Sequence, residues 1–449
     1  MSPTRVAAAL FWSAVGTLAA TYVAIPAVLL VRGRLIRRPI AAADVTPTVT
    51  IVIAAFNEER SIGAKLDSLH ALDYPRDRLE ILVASDGSSD ATNDIVLGHA
   101  DRGVRLLDLD RVGKAAALNA ALAIAAGEIV VFSDANSIFE PGAMRALVRP
   151  FADPEVGGVA GDQRYHQGGA SGALAEGERG YWDLDRLLKV AETNAGNVIS
   201  ATGAIYAVRR ELIPPVIEGV TDDFITSTAV IAAGRRLVFA ADAAAWEPVA
   251  ASGGVEYGRK VRVMTRGLRG VLVRRALLDP RRTGFYAVQL LWHKLLRRLM
   301  VFPLIALAVS APILIGRGWI YGLAAVSQAA FYSLALAGIA LRDRPISRSK
   351  ALALPAYFCL VNMAALTAAL NVLRGRRIDR WETQRAGAPG ADEPPAAEEP
   401  PGADEPPAAE EPPAADAELV TDAESTATAA DILAKVDAGV AADAPAGIS

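Results

Sequence analysis

From residue 47 to about 242 the chain alternates short apolar runs with longer stretches of mixed polarity. TVTIVIAA (48–55), LEILVAS (79–85), VRLLDL (104–109) and EIVVFSD (128–134) are rich in aliphatic residues and bounded by turn residues, as buried strands are. Between them, 58–70 carries apolar positions at helical spacing. Residues 88–99 open on Ser and Asp, as helices do, and 114–126 is Ala-rich. Pro141 can open a further helix. Strand and helix alternating at this spacing predict βαβ units and a mostly parallel sheet. Farther along the pattern is less regular. VGGVAG, a helix over 173–193, VISATGAIYAVRR, a helix from Asp222 and RLVFAAD predict an added, mixed part of the sheet.

Outside this region the apolar runs lengthen. Residues 6–31, 299–315, 319–341 and 351–373 are each about long enough to cross a bilayer. The first run has only Arg5 before it, while Arg32, Arg34, Arg37 and Arg38 follow. That flank marks an uncleaved anchor rather than a signal peptide. The positive-inside rule puts its amino terminus outside and residue 40 onward in the cytoplasm of a bacterial inner membrane. Residues 255–298 are basic and semi-apolar, and read as interfacial helices with Trp292 as an anchor.

The net charge of −4 hides two opposite parts. After Arg385 come fifteen acids and one lysine, a net of about −14, which leaves about +10 for residues 1–385. The positive excess clusters beside the apolar runs, as suits anionic lipid. It lacks aromatic interleaving, so no nucleic-acid partner is expected. The tail repeats GADEPPAAEEPP at 390–401 and 402–413 and is expected to be disordered. A weak helix at 428–442 could dock a protein partner. The single cysteine, Cys359, excludes an internal disulfide and a Cys-rich metal site. The four histidines are far apart in sequence and read as surface or interface residues.

Chemistry collects at the strand ends. The first ends at Ala55 before Asn57 and Glu58, the second at Asp86, and the fourth at Asp134 and Asn136. Gly113-Lys114 opens the helix after the third. In a parallel sheet these ends share one edge, where open α/β sheets bind ligands. Carboxylates and amides suit a base and ribose; a lysine and helix N-termini suit phosphate. No G-x-x-x-x-G-K-[ST] and no G-x-G-x-x-G is present, which argues against an ATPase or dinucleotide enzyme. A diphosphate would instead be neutralised by a divalent cation, Mg2+ or Mn2+, held at Asp134.

VTIVIAAFNEE, LEILVASDGSSD, GKAAALNAAL, VVFSDAN, ATGAIYAVRRE and VTDDF resemble, in order and spacing, the membrane-bound family-2 glycosyltransferases of the cellulose, hyaluronan and poly-N-acetylglucosamine synthase group. The likeness covers about residues 45–270. It implies an α/β GT-A nucleotide-sugar-binding domain with transmembrane helices, and inverting transfer from a nucleoside-diphosphate sugar to a glycan or lipid acceptor. It implies donor contacts at Ala55, Asn57, Glu58, Asp86, Lys114 and Asp134. It implies a metal site at Asp134 and Asn136, the amide standing where a second acid is usual. Asp223 matches the base, with Asp222 beside it, and Gly203 an acceptor-side turn. Arg262 keeps the Arg of a Q-x-x-R-W motif whose Gln and Trp are here Arg259 and Val263. Loss of that Trp argues against long processive synthesis. DLD at 108–110 matches no family position and reads as a strand end.

The expected organisation is an anchor at 1–40, a catalytic domain at 45–252, interfacial helices at 253–298, spans at 299–373 and an acidic tail at 386–449. Two other functions fit the same pattern: transfer to a polyprenyl phosphate, and a non-catalytic scaffold of a polysaccharide export complex.

Overall fold

The computed structural model describes residues 2–165, 173–247, 253–342 and 344–376. The acidic tail, with its repeat and weak helix, and His166 lie outside the described residues. Helix α1 (Pro3–Leu35) precedes an eight-stranded sheet of order β3-β2-β1-β4-β7-β6-β8-β5. The four apolar runs form β1 (Val49–Ala55), β2 (Leu79–Asp86), β3 (Val104–Leu109) and β4 (Ile129–Asp134), paired in parallel. They are joined by α2 (Ile62–His70), α3 (Thr92–Leu97) and α4 (Lys114–Ile124). Both α2 and α3 are shorter than expected, because the polar residues before them build turns. The Asp90 carboxylate, for example, accepts from Thr92 N at 3.0 Å and from Glu59 N at 3.1 Å.

The second half adds β5 (Ile138–Phe139), α5 (Ala143–Val148), β6 (Val156–Tyr165), α6 (Ala173–Ala195), β7 (Tyr206–Arg209), α7 (Asp222–Ala232) and β8 (Arg236–Glu247). Strand β7 is antiparallel to β4 and β6, and β5 to β8, while β6 and β8 are parallel. Six of the eight strands therefore run one way, and their carboxyl ends share an edge. The VGGVAG run begins β6, and its glycines leave room for close neighbours from α7 and β8. A Cβ at Gly158 would come within 2.9 Å of Leu237 and 3.0 Å of Val230. VISATGAIYAVRR is strand only at its end, and RLVFAAD runs on to Glu247.

Helices α8 (Gly253–Val273), α9 (Phe285–Arg298), α10 (Val301–Ile313), α11 (Trp319–Ala340) and α12 (Lys350–Leu373) follow. By length and composition, α1, α11 and α12 can each cross a membrane. The run at 299–315 does not form the separate span expected. Its helix α10 has 13 residues, about 20 Å against a hydrocarbon core of about 30 Å. It is bent by 55° against α9, so the two make at most one broken span. Helix α8 packs against other helices of the chain. Gly270 approaches Phe224 of α7, and Tyr257 Oη meets Thr367 Oγ1 of α12 at 2.9 Å.

Trp292 is not an exposed anchor either. It is buried, and its indole N–H donates to the Thr21 carbonyl at 2.7 Å. That carbonyl lies in a π-helical turn of α1, Ala20–Ala24, whose widened backbone ladder suits an inserted partner. Beside it His293 Nε2 meets Glu192 at 2.7 Å, fully inside the protein.

Helices α1 and α6 cross at Gly33, where a Cβ would stand 2.5 Å from the Ala191 backbone. Gly33→Leu should push them apart at a cost of about 1–3 kcal/mol. Gly16→Leu, on an open face of the same helix, should cost little. Thermal midpoints of the two variants in detergent check this; equal midpoints would show that the crossing is loose.

Candidate active site

At the common strand edge each side chain is held by its own local geometry. Asn57, just past β1, has φ 52°. Asn tolerates this left-handed conformation because its short side chain bonds locally. Here its Oδ1 accepts from Ser89 N at 2.8 Å, and its own N–H donates to Ser88 Oγ at 3.1 Å. Glu58 is buried, with Ser61 Oγ donating to its carboxylate at 2.6 Å. Ala55 is buried in register with Ser85. Asp86 is fully buried; its Oδ1 accepts from Val112 N at 2.8 Å and Gly113 N at 2.7 Å, and its Oδ2 pairs with Arg111. Asp86 therefore shapes the 111–113 loop. The Arg111 guanidinium in turn lies 3.4 Å from the centre of the Phe56 ring.

That loop delivers Lys114, the first residue of α4. Its ammonium lies 3.1 Å from Asp134 Oδ1 at the end of β4 and 3.2 Å from Asp222 Oδ2 at the start of α7. Burial alone would lower its pKa. The two carboxylates more than offset this and hold it above the ordinary lysine range. Gly203 faces Asp134 rather than the acceptor side alone: a Cβ there would lie 2.8 Å from Asp134 Oδ2. The glycine thus leaves room at the carboxylate. Asn136 is half-buried, and its amide has no hydrogen-bond partner among the described residues.

Asp223 accepts from Phe224 N at 2.7 Å. Burial, then the charge of Asp222, pushes its carboxyl up to about 6, against the pull of Lys294. Arg262 is half-buried on α8. Its neighbour Arg259 is the one whose charge acts on Glu247.

Three groups at the edge escaped the sequence reading. Glu247 ends β8 and receives Ser137 Oγ at 2.5 Å and Gln163 Nε2 at 2.6 Å. Burial and the charge of Asp134 raise its pKa. Tyr206 is buried with its ring stacked on Phe132 at 4.8 Å, and its hydroxyl is pushed well above the usual range by burial and by Asp222 and Asp223. Lys65 is fully buried beneath the β4 end. Its only sequence signal is its place in the apolar stripe Ile62, Lys65, Leu66, Leu69.

No three His, Cys, Asp or Glu among the described residues form a complete metal cage. A hard cation completed by phosphate oxygens needs only one or two protein oxygens. The half-exposed Asp134 carboxylate, beside Lys114, and the Asn136 amide offer oxygens of that kind.

Residues 50–213 match Glycosyl transferase family 2. Those residues form a family-2 glycosyltransferase domain. The enzyme is 26% identical over 280 residues to the poly-beta-1,6-N-acetyl-D-glucosamine synthase of Staphylococcus aureus, covering 61% of this chain and 67% of that protein. It is 35% identical over 129 residues to the probable glycosyltransferase YdaM of Bacillus subtilis, covering 26% and 30%. Among solved structures it is similar to the mannosyltransferase PcManGT from Pyrobaculum calidifontis in complex with GDP-Man and Mn2+. The TM-score is 0.62 at 25% identity, over 82% of this chain and 100% of that one. The fold is GT-A, and the transferred sugar comes from a nucleotide sugar.

The raised Asp223 has a stability consequence. With a folded pKa of about 6, above the usual carboxylate value, the fold binds this proton tightly. Its contribution is full below about pH 4 and is lost as pH rises through 6. Asp223→Asn should therefore gain stability relative to wild type between pH 5 and pH 8, by up to about 2 kcal/mol. Thermal melts at the two pH values check it; a pH-independent difference would contradict the burial of an ionised Asp223.

Proposed function

We propose that the enzyme works at the cytoplasmic face of a bacterial inner membrane and transfers a sugar, with inversion, from a UDP-sugar to a glycan or lipid acceptor. One observation carries this reading: a single lysine, Lys114, touches both the carboxylate on the donor side, Asp134, and one on the acceptor side, Asp222. Donor and acceptor chemistry thus meet within one ammonium's reach.

In this reading Asn57, Glu58 and the Asp86-held loop receive the nucleoside. Lys114 and the amino end of α4 receive the diphosphate, where a cation and helix dipole stabilise negative charge. A divalent cation held by Asp134 and Asn136 would neutralise the leaving diphosphate. One similar structure is named with Mn2+ and one relative is named for a polymerised amino sugar, which supports metal use and a polysaccharide-related role. Asp223 takes the proton of the acceptor hydroxyl as the new glycosidic bond forms and the donor bond to the diphosphate breaks. Its pKa of about 6 keeps it ionised at neutral pH yet basic enough for the task. Gly203, which also leaves room for Asp134, and Arg262 are assigned to the acceptor. A single transfer to a lipid-linked acceptor is the second reading, favoured by the exposed Val263 where processive synthases place a sugar-stacking Trp.

Membranes incubated with a panel of sugar nucleotides, with Mg2+ or Mn2+, should release nucleoside diphosphate with one of them; release with none would overturn the proposal. Product length separates the two readings. Asp134→Ala should abolish transfer, and Asn136→Asp should keep or raise it by adding charge at the cation. Full turnover of Asp134→Ala in chelator would remove the metal from the account. Asp223→Asn should lower turnover roughly 10²–10⁴-fold with donor affinity held. The wild-type rate should fall as pH drops through about 6. Near-normal turnover of Asp223→Asn would move the base to Asp222.

A further inference from the structure

The buried stripe of α2 carries a charge that the transfer chemistry does not use. The Lys65 ammonium donates to Ser133 Oγ at 2.8 Å and to the Ser137 carbonyl at 2.6 Å, and it sits 3.5 Å from the centre of the Phe139 ring. Ser133 gives its own proton to the Ala204 carbonyl at 2.7 Å, so toward Lys65 its oxygen accepts. A hydroxyl lone pair, a carbonyl and a ring face are three acceptors. They match the three protons of an ammonium and offer no donor to the lone pair of a neutral amine.

No carboxylate among the described residues lies within 4.0 Å of this ammonium. Burial pulls its pKa well below the ordinary lysine value, and the charges of Asp134 and Glu247 oppose that pull. The groups it holds belong to separate pieces of the donor edge. Ser133 and Ser137 bracket Asp134 and Asn136, and Ala204 follows Gly203. The Ser137 hydroxyl continues the network to Glu247.

We infer that Lys65 is a positioning residue for sugar transfer: a fixed positive charge beneath the turn between β4 and β5 that orients Asp134 and Asn136 and favours a diphosphate over a free cation at that edge. This rests on the edge being the donor site. A charge that water cannot reach is weakly screened, so it attracts a nucleoside diphosphate and repels a divalent cation from the same place. A support that only shaped the turn would affect both ligands in the same sense.

The experiment uses the full chain purified in detergent. Mn2+ binding without nucleotide is read from the electron paramagnetic resonance of the free ion. UDP and GDP binding are read without metal by calorimetry. Lys65→Met should weaken the nucleotide about three- to tenfold and tighten Mn2+ by a similar factor. Lys65→Gln removes the same charge while keeping hydrogen bonds, and should give the same opposed shifts if the Met variant does not fold. Wild-type binding with both affinities falling together, or neither moving, would overturn the role of Lys65 alone. Wild-type protein that binds neither nucleotide would overturn the donor-site reading and this proposal with it.

Discussion

One ammonium between two carboxylates organises the edge on which the rest depends. Lys114 lies within 3.2 Å of both Asp134 and Asp222. These acids come from the end of a central strand and the start of α7, which are far apart in sequence. Without a cation between them, two partly buried carboxylates so placed would repel each other and take up protons. Lysine 114 is itself placed by Asp86, which uses its carboxylate on the backbone of the 111–113 loop and never reaches toward the open edge. The chain of cause thus runs from a buried strand-end acid, through a loop, to a helix start, and from there to both sides of the reaction.

The same edge is tied to the apolar helices. Phe224, next to Asp223, is touched by α8 at Gly270, and α8 in turn lies along α12 through Tyr257 and Lys260. On the other side Trp292 and His293 of α9 bind α1 and α6. Arg236, at the start of β8, donates to the carbonyls of Arg38 and Pro39, just past α1. Catalytic sheet and apolar helices are therefore one packed unit. A disturbance of α8 or α9 is expected to reach Asp223 through a few contacts.

The first four strands were legible because buried parallel strands are continuous apolar runs, and their ends gather by topology alone. Asn57, Asp86, Lys114 and Asp134 followed from that rule. The later strands were less legible. The two-residue β5 is too short to leave a pattern, and VISATGAIYAVRR carries apolar residues along most of its length although only Tyr206–Arg209 pairs as strand. Glu247 was hidden past the expected end of its strand. Lys65 was hidden by its own type, since a lysine in an amphipathic helix reads as solvent-facing unless its place in the apolar stripe is counted. The run at 299–315 misled because composition measures apolarity and neither the short length of its helix nor the bend at its start against α9. Trp292 misled because a basic flank suits both a lipid surface and a packed interior.

The coupling of donor and acceptor acids through Lys114 is measured most directly by a double-mutant cycle on kcat/KM. The cycle compares Lys114→Gln, Asp222→Asn and the double variant, with the best sugar-nucleotide donor. If one ammonium serves both sides, the double variant is about as slow as Lys114→Gln alone, because the second change removes a contact already lost. If the two losses multiply, Lys114 and Asp222 act independently and the bridge does not organise the site.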